Sequence, residues 1–420
     1  MAGKYKVPRG TFDILPTESY KWQFITEKFR QVTKLFNYRE IVTPIFESSE
    51  IFERSVGEDS DIVEKEMYKF EDKKGRSLAL RPEGTAPVVR SFIENGLNLQ
   101  PNASKLYYLG PMFRYDRPQK GRYRQFYQYG VENISSNDPF VDSEVISLAY
   151  LFLKNLGIAD FELQINSIGC SNCTKDYDAV LNRYFTPFLS DLCSDCRKRL
   201  VKNPKRVLDC KVKTCKKIAA KAPSMLDYLD KNCNEHFSQV QDNLKLMDIP
   251  FVINPKIVRG LDYYSQTAFE FVVTSLGAQN TLIGGGRYDG LSEQLGGKQM
   301  PGVGFAGGFE RLIQSMENEK LSFGGEQIPS IYLVALGNKA RVYSLKLLME
   351  LRRNGISVDI DFDKISMNSQ MKAANRSKAD FALILGAEEL TTQSIICKDL
   401  KNGEQEKINL KEVVNYLRIR

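Results

Sequence analysis

A chain of 420 residues, 42% hydrophobic and 26% charged, holds enough apolar material for two or three globular cores, and its balance argues against disorder. No apolar run reaches the ~18–20 residues that span a bilayer, and the opening MAGKYKVPRGTFDILP lacks a signal-peptide core, so a cytoplasmic protein with no membrane partner is expected. A net charge of +7 suits a polyanionic partner, while a single histidine, His236, excludes a paired-histidine metal site and, read as structural, leaves chemistry to carboxylates, arginines, amides and tyrosines.

Along the chain, residues 17–36 place Trp22, Ile25, Phe29, Val32 and Phe36 at helical spacing, and an extended piece, EIVTPIFE, follows. Strand-like runs come at 105–116, 123–132, 160–166, 267–274 and 281–287, with helical stretches near 139–156 and 309–319. Consecutive strands with helices around them predict an α+β fold on an antiparallel sheet. Residues 168–245 differ: they hold seven of the eight cysteines, read as mainly helical, and look like an insertion between strands. From Cys193 to Lys221 there are eleven Lys or Arg against two Asp, a net +9 over 29 residues, which is either a solvated face or a nucleic-acid contact. His236 lies in this insertion and is expected to be structural. After a linker at GGEQIP (324–329), the pattern strand, helix, strand, helix, strand from 331 to 385 predicts a small α/β domain with a mostly parallel sheet. The expected division is therefore 1–325, interrupted by the insertion, and 329–420.

Neither common nucleotide-binding motif stands in a usable context. GVGFAGG satisfies G-x-G-x-x-G at Gly302, Gly304 and Gly307, but GGKQMP precedes it where a dinucleotide fold needs an apolar strand. No G-x-x-x-x-G-K-[ST] exists, so a P-loop is excluded. Three other segments are informative. FRYDRPQKGRYRQFYQYGVE puts Arg114, Arg117, Arg122 and Arg124 around one hairpin, where cross-strand like charges repel unless an anion is meant to lie among them. In GVGFAGGFERL, Gly302, Gly304 and Gly308 recur at strand period and would leave a flat floor within reach of Arg311. RGLDYY, with Arg259 beside Tyr263 and Tyr264, and GGGRYDGL at 284–291 put arginines and tyrosines among apolar residues, where buried polar groups need partners.

Together these segments resemble the class II aminoacyl-tRNA synthetases: EIVTPIFE, FRYD…RYRQF and GVGFAGGFERL look like that class's three motifs. RPEGTAPVVR, RGLDYY and GGGRYDGL narrow the resemblance to the histidyl-tRNA synthetase family of bacterial type. The resemblance implies histidine–tRNA ligation in a homodimer, with ATP as substrate, Mg2+ on its phosphates, tRNA(His) and L-histidine as partners, and a C-terminal domain that reads the anticodon. It implies Pro44 at the dimer interface, Arg114, Arg259 and Arg311 as the catalytic arginines, and Arg114, Arg122, Tyr123 and Arg311 around ATP. Glu83, Gly84, Thr85, Gln128, Glu132, Tyr263 and Tyr264 match the histidine pocket. Arg117 and Gln119 match contacts to the tRNA acceptor end.

The chemistry agrees with those residue types. In-line attack of a carboxylate on a phosphorus needs fixed cations rather than proton transfer, and arginine stays charged at any working pH. Two departures stand out: Asp116 where the family's second motif usually has Glu, and Ser265 where Thr is common. Neither is expected to touch the arginines. Cys193-x2-Cys196 with Cys210-x4-Cys215 has zinc-knuckle spacing, and Cys170-x2-Cys173 adds a pair; reduced, unligated thiols are the plainer reading. Two other readings stay open, a regulatory subunit related to ATP phosphoribosyltransferase and an RNA-binding protein on the same scaffold. The first predicts loss of the C-terminal domain, and both predict erosion of the arginines or the histidine pocket.

Overall fold

The computed structural model describes residues 5–57, 62–101, 104–119, 121–257, 261, 263–273, 280–325 and 328–419. The chain divides into two compact units, Met1–Gly324 and Gly325–Arg420. The first carries the strands β1 (Arg39–Glu40), β2 (Phe46–Ser48), β3 (Lys69–Glu71), β4 (Ser77–Leu80), β5 (Lys105–Phe113), β6 (Gln125–Ile134), β7 (Glu162–Ser167), β8 (Val252–Ile253), β9 (Ser265–Val272), β10 (Thr281–Arg287) and β11 (Gly302–Gly308). Eight of them form one sheet in the order β1-β5-β6-β11-β10-β9-β7-β8, antiparallel except where the short strands β1 and β8 pair parallel at the edges. β2, β4 and β3 make a separate small sheet.

The strand period of two sorts side chains to two faces. Odd-numbered residues of β6, β9 and β11, among them Tyr129, Val131, Phe269, Phe271, Val303 and Phe305, enter the main core. That core is closed by the helices Pro16–Leu35, Pro139–Asn155 and Phe309–Asn318. The even-numbered residues look the other way, and a cleft lies on that side. Pro16 sits at the first position of its helix, where its missing N–H costs nothing, and Ile25, Phe29 and Val32 form the buried stripe.

Between β7 and β8 the chain makes a lobe of helices, chiefly Ser171–Phe185, Ser194–Lys202, Lys213–Ala219 and Lys231–Leu246. Its own small core is rich in cysteine. His236, on the last of these helices, lies 3.4 Å from the buried Asp142, which also pairs with the fully buried Arg287. The arginine of GGGRYDGL therefore serves packing: it joins β10 to the helix Pro139–Asn155 and donates to the carbonyls of Ser136 and Asp138 as well.

The second unit has β12 (Ile331–Ala335), β13 (Val358–Asp359), β14 (Phe381–Leu385), β15 (Ser394–Asp399) and β16 (Gln405–Asn409) in the order β13-β12-β14-β15-β16. Only the first three are parallel; β15 and β16 join antiparallel. The expected mostly parallel sheet is thus a mixed one, because the connections from β14 to β15 and from β15 to β16 are too short for a crossover. Among the described residues no helix is long and apolar enough to cross a membrane.

Candidate active site

A cleft of about 370 Å³ opens over the even-numbered face of the large sheet. Arg114 reaches it from the β5–β6 connection, and Arg122 and Tyr123 from the far side of the same loop. Gln128 comes from β6, Glu83 and Thr85 from the start of the helix Thr85–Glu94, and Tyr263 and Tyr264 from the segment before β9. Arg311 enters from the first turn of the helix Phe309–Asn318. These residues, distant in sequence, meet because the sheet order sets β6 beside β11 and β11 beside β10.

The cationic side of the cleft is under electrostatic load. Burial lowers the pKa of Arg311, and the nearby Arg122 and Arg114 guanidiniums lower it further. Arg114 is lowered too, chiefly by burial, although Glu66 and Glu83 oppose this. Arg114 Nε donates to the Pro82 carbonyl at 2.8 Å, and its guanidinium lies 5.4 Å from the centre of the Phe126 ring. Arg311 Nη1 donates to the Thr281 carbonyl at 2.9 Å. A guanidinium whose charge is disfavoured by two others beside it makes a seat for a polyanion.

The acceptor side is equally specific. The Glu83 carboxylate accepts from the backbone N–H groups of Thr85 and Ala86, at 2.7 and 2.9 Å, which fixes it at a helix start. Gln128 Oε1 is buried with no hydrogen-bond partner among the described residues, an acceptor on the cleft wall. Glu132 does not line the cleft: it is fully buried and accepts from Thr85 Oγ1 at 2.7 Å and from the Tyr288 hydroxyl. Burial pushes its carboxyl up to about 8, against those hydrogen bonds.

The glycine floor is narrower than expected. Residues 302, 304, 306 and 308 share a face, but a Cβ on Gly302 would press into the Tyr288 ring and one on Gly304 into the Glu132 carboxylate. Of the three glycines, Gly308 alone lines the cleft, beside Ala306 and Gly284. Gly84 abuts the Tyr108 ring at the head of its helix. Arg117 and Gln119 are exposed on the loop outside the cleft, and Gln119 bridges to Arg122. Arg259 lies outside the described residues. Asp116 corrects an expectation: it does touch an arginine, pairing with Arg122 Nη1 at 3.0 Å, because its short side chain sits directly across the loop.

Phe126, Glu66, Glu270, Thr281 and Glu310 also line the cleft. Phe126 shares parity with Gln128 on one strand and is legible on that ground; Glu270 carries no local signal. In the lobe, where every cysteine is free, the Sγ atoms of Cys193, Cys196, Cys210 and Cys215 lie within 4.8 Å of one another. The Cys170–Cys173 pair belongs to a different group.

A family model described as histidyl-tRNA synthetase matches residues 10–173 and 199–312, and one described as anticodon binding domain matches 330–420. The chain is 48% identical over 417 residues to the histidine–tRNA ligase of Bacillus licheniformis, covering 99% of this chain and 98% of that one. It is 49% identical, at the same coverage, to that of Bacillus velezensis. The crystal structure of apo S. aureus histidyl-tRNA synthetase matches with a TM-score of 0.84 at 40% identity, over 98% of this chain and 99% of that one.

Proposed function

The chain belongs to the histidyl-tRNA synthetase family, and on that premise we propose how its cleft carries out histidine–tRNA ligation. The histidine carboxylate attacks the α-phosphorus of ATP and expels pyrophosphate; the 3′ end of tRNA(His) then takes the histidyl group and AMP leaves. Arg114 holds the α-phosphate and the attacking carboxylate together, Arg311 the γ-phosphate, and Arg259 adds a third cation at the α-phosphate. Arg122 and Tyr123 flank the nucleotide, and Phe126 offers its ring to the base. The convergence of Arg114, Arg122 and Arg311 is the observation that carries this reading.

Glu83 and Gln128 Oε1 take the substrate ammonium, while Tyr263 and Tyr264 border the imidazole. Glu132, buried behind Thr85, sets that hydroxyl rather than meeting the ligand directly. A pocket built to hydrogen-bond a polar ring leaves buried groups unpaired when an apolar side chain enters, which discriminates by roughly 10⁴. Glu270, which accepts from Thr281 Oγ1 at 3.0 Å on the cleft wall, offers hard oxygen to Mg2+, which would neutralise phosphate charge. Arg117 and Gln119 meet the acceptor end, and the second unit takes the anticodon. The match of residues 330–420 to an anticodon binding domain speaks against the regulatory-subunit reading, which requires that domain to be missing.

Pro44 lies on an exposed apolar surface with Val42, Ile45 and Phe46, which supports a homodimer interface there. Cys193, Cys196, Cys210 and Cys215 suit a structural zinc, and reduced thiols suit a cytoplasmic location. The reading is tested by exchange of pyrophosphate into ATP with each amino acid in turn. Exchange with histidine alone is expected; equal exchange with another amino acid, or none with histidine, would overturn it.

A further inference from the structure

We propose that Cys170, Cys173, Asp230 and Cys233 form a second zinc site, of three thiolates and one carboxylate, which joins the two ends of the lobe. Cys170 is the N-cap of the helix Ser171–Phe185 and Cys173 its third residue; Asp230 is the N-cap of Lys231–Leu246 and Cys233 its third residue. Two helix starts, 60 residues apart, thus present the same pair of positions to one point. All four ligand atoms lie within 4.8 Å of one another. Cys170 Sγ is 3.6 Å from Cys173 Sγ and 3.1 Å from Asp230 Oδ2. A tetrahedral zinc with Zn–S bonds of about 2.3 Å separates its sulfurs by about 3.8 Å.

Two features of the surroundings favour thiolates against the burial that raises the Cys173 and Cys233 thiols. The backbone N–H of Asp230 donates to Cys173 Sγ at 3.1 Å, and two helix N-termini add positive potential. Asp230 Oδ1 caps its own helix by accepting from the Cys233 backbone N–H at 2.7 Å, which leaves Oδ2 on the thiol side. An apolar core would explain the burial of Cys173 and Cys233, and capping would explain Oδ1. Neither accounts for a second carboxylate oxygen set among three thiols. The site also lies at the root of the lobe: the Gly169 carbonyl accepts from Gln266 N at 2.8 Å and Ile168 N donates to the Gln266 carbonyl at 2.7 Å, fastening it to the start of β9.

The test is zinc content of the reduced, zinc-reconstituted full-length protein, by native mass spectrometry and elemental analysis. Cys233→Ser should lose one zinc per chain relative to wild type, and Asp230→Asn, which keeps the helix cap, should bind that zinc more weakly. Cys215→Ser should lose a different zinc, so failure of the four-thiolate site is seen separately. Cobalt titration of the wild-type protein provides a readout that needs no variant: a component with three-sulfur, one-oxygen character is expected. Unchanged zinc content in Cys233→Ser, or a Cys170–Cys173 disulfide in place of metal, would overturn the proposal.

Discussion

At the scale of single residues, Glu132 makes the sharpest pH prediction. Its carboxyl is raised from an ordinary 4.5 to about 8 by burial, so the folded state holds a proton that the unfolded chain releases. That contribution to stability is full below about 4.5, erodes as pH climbs, and is lost once pH has passed through about 8. Glu132→Gln should therefore flatten the fall in melting temperature between about pH 5 and 8; an unchanged slope would contradict the assignment. Glu83, Thr85 and Gln128 are reached only through the family resemblance, while the arginines that line the cleft are legible because they stand in short motifs. The contact of Asp116 with Arg122 is not, because a loop's cross-contacts have no period to read.

At the scale of elements, the buried pair of Arg287 and Asp142 joins β10 to a core helix. Asp142→Ala would leave a guanidinium without its main partner at no solvent exposure, and should cost about 3–5 kcal/mol in denaturant unfolding. A loss below about 1 kcal/mol would show the pair to be dispensable. The long strands β5, β6 and β9 to β11 are legible from alternation. The three-residue strands β2 and β3 are too short to carry a period, and β15 and β16 lie beyond the repeating pattern of residues 331–385.

At the scale of the whole molecule, the exposed apolar surface around Pro44 predicts an assembly. Val42→Asp with Phe46→Asp should shift sedimentation towards monomer and lower histidine-dependent exchange; an unaltered dimer would place the interface elsewhere. The division into two units is legible from the linker and the change of pattern. The meeting of the cysteines needs the fold, since helix starts 60 residues apart leave no mark in spacing.

The convergence of guanidiniums on one triphosphate is tested most directly by pyrophosphate exchange in Arg114→Ala and Arg311→Ala, with melting temperature and tRNA binding measured alongside. Each variant should fold, bind tRNA nearly as wild type does, and exchange about 10²–10³-fold more slowly. Wild-type exchange in either folded variant would contradict the account.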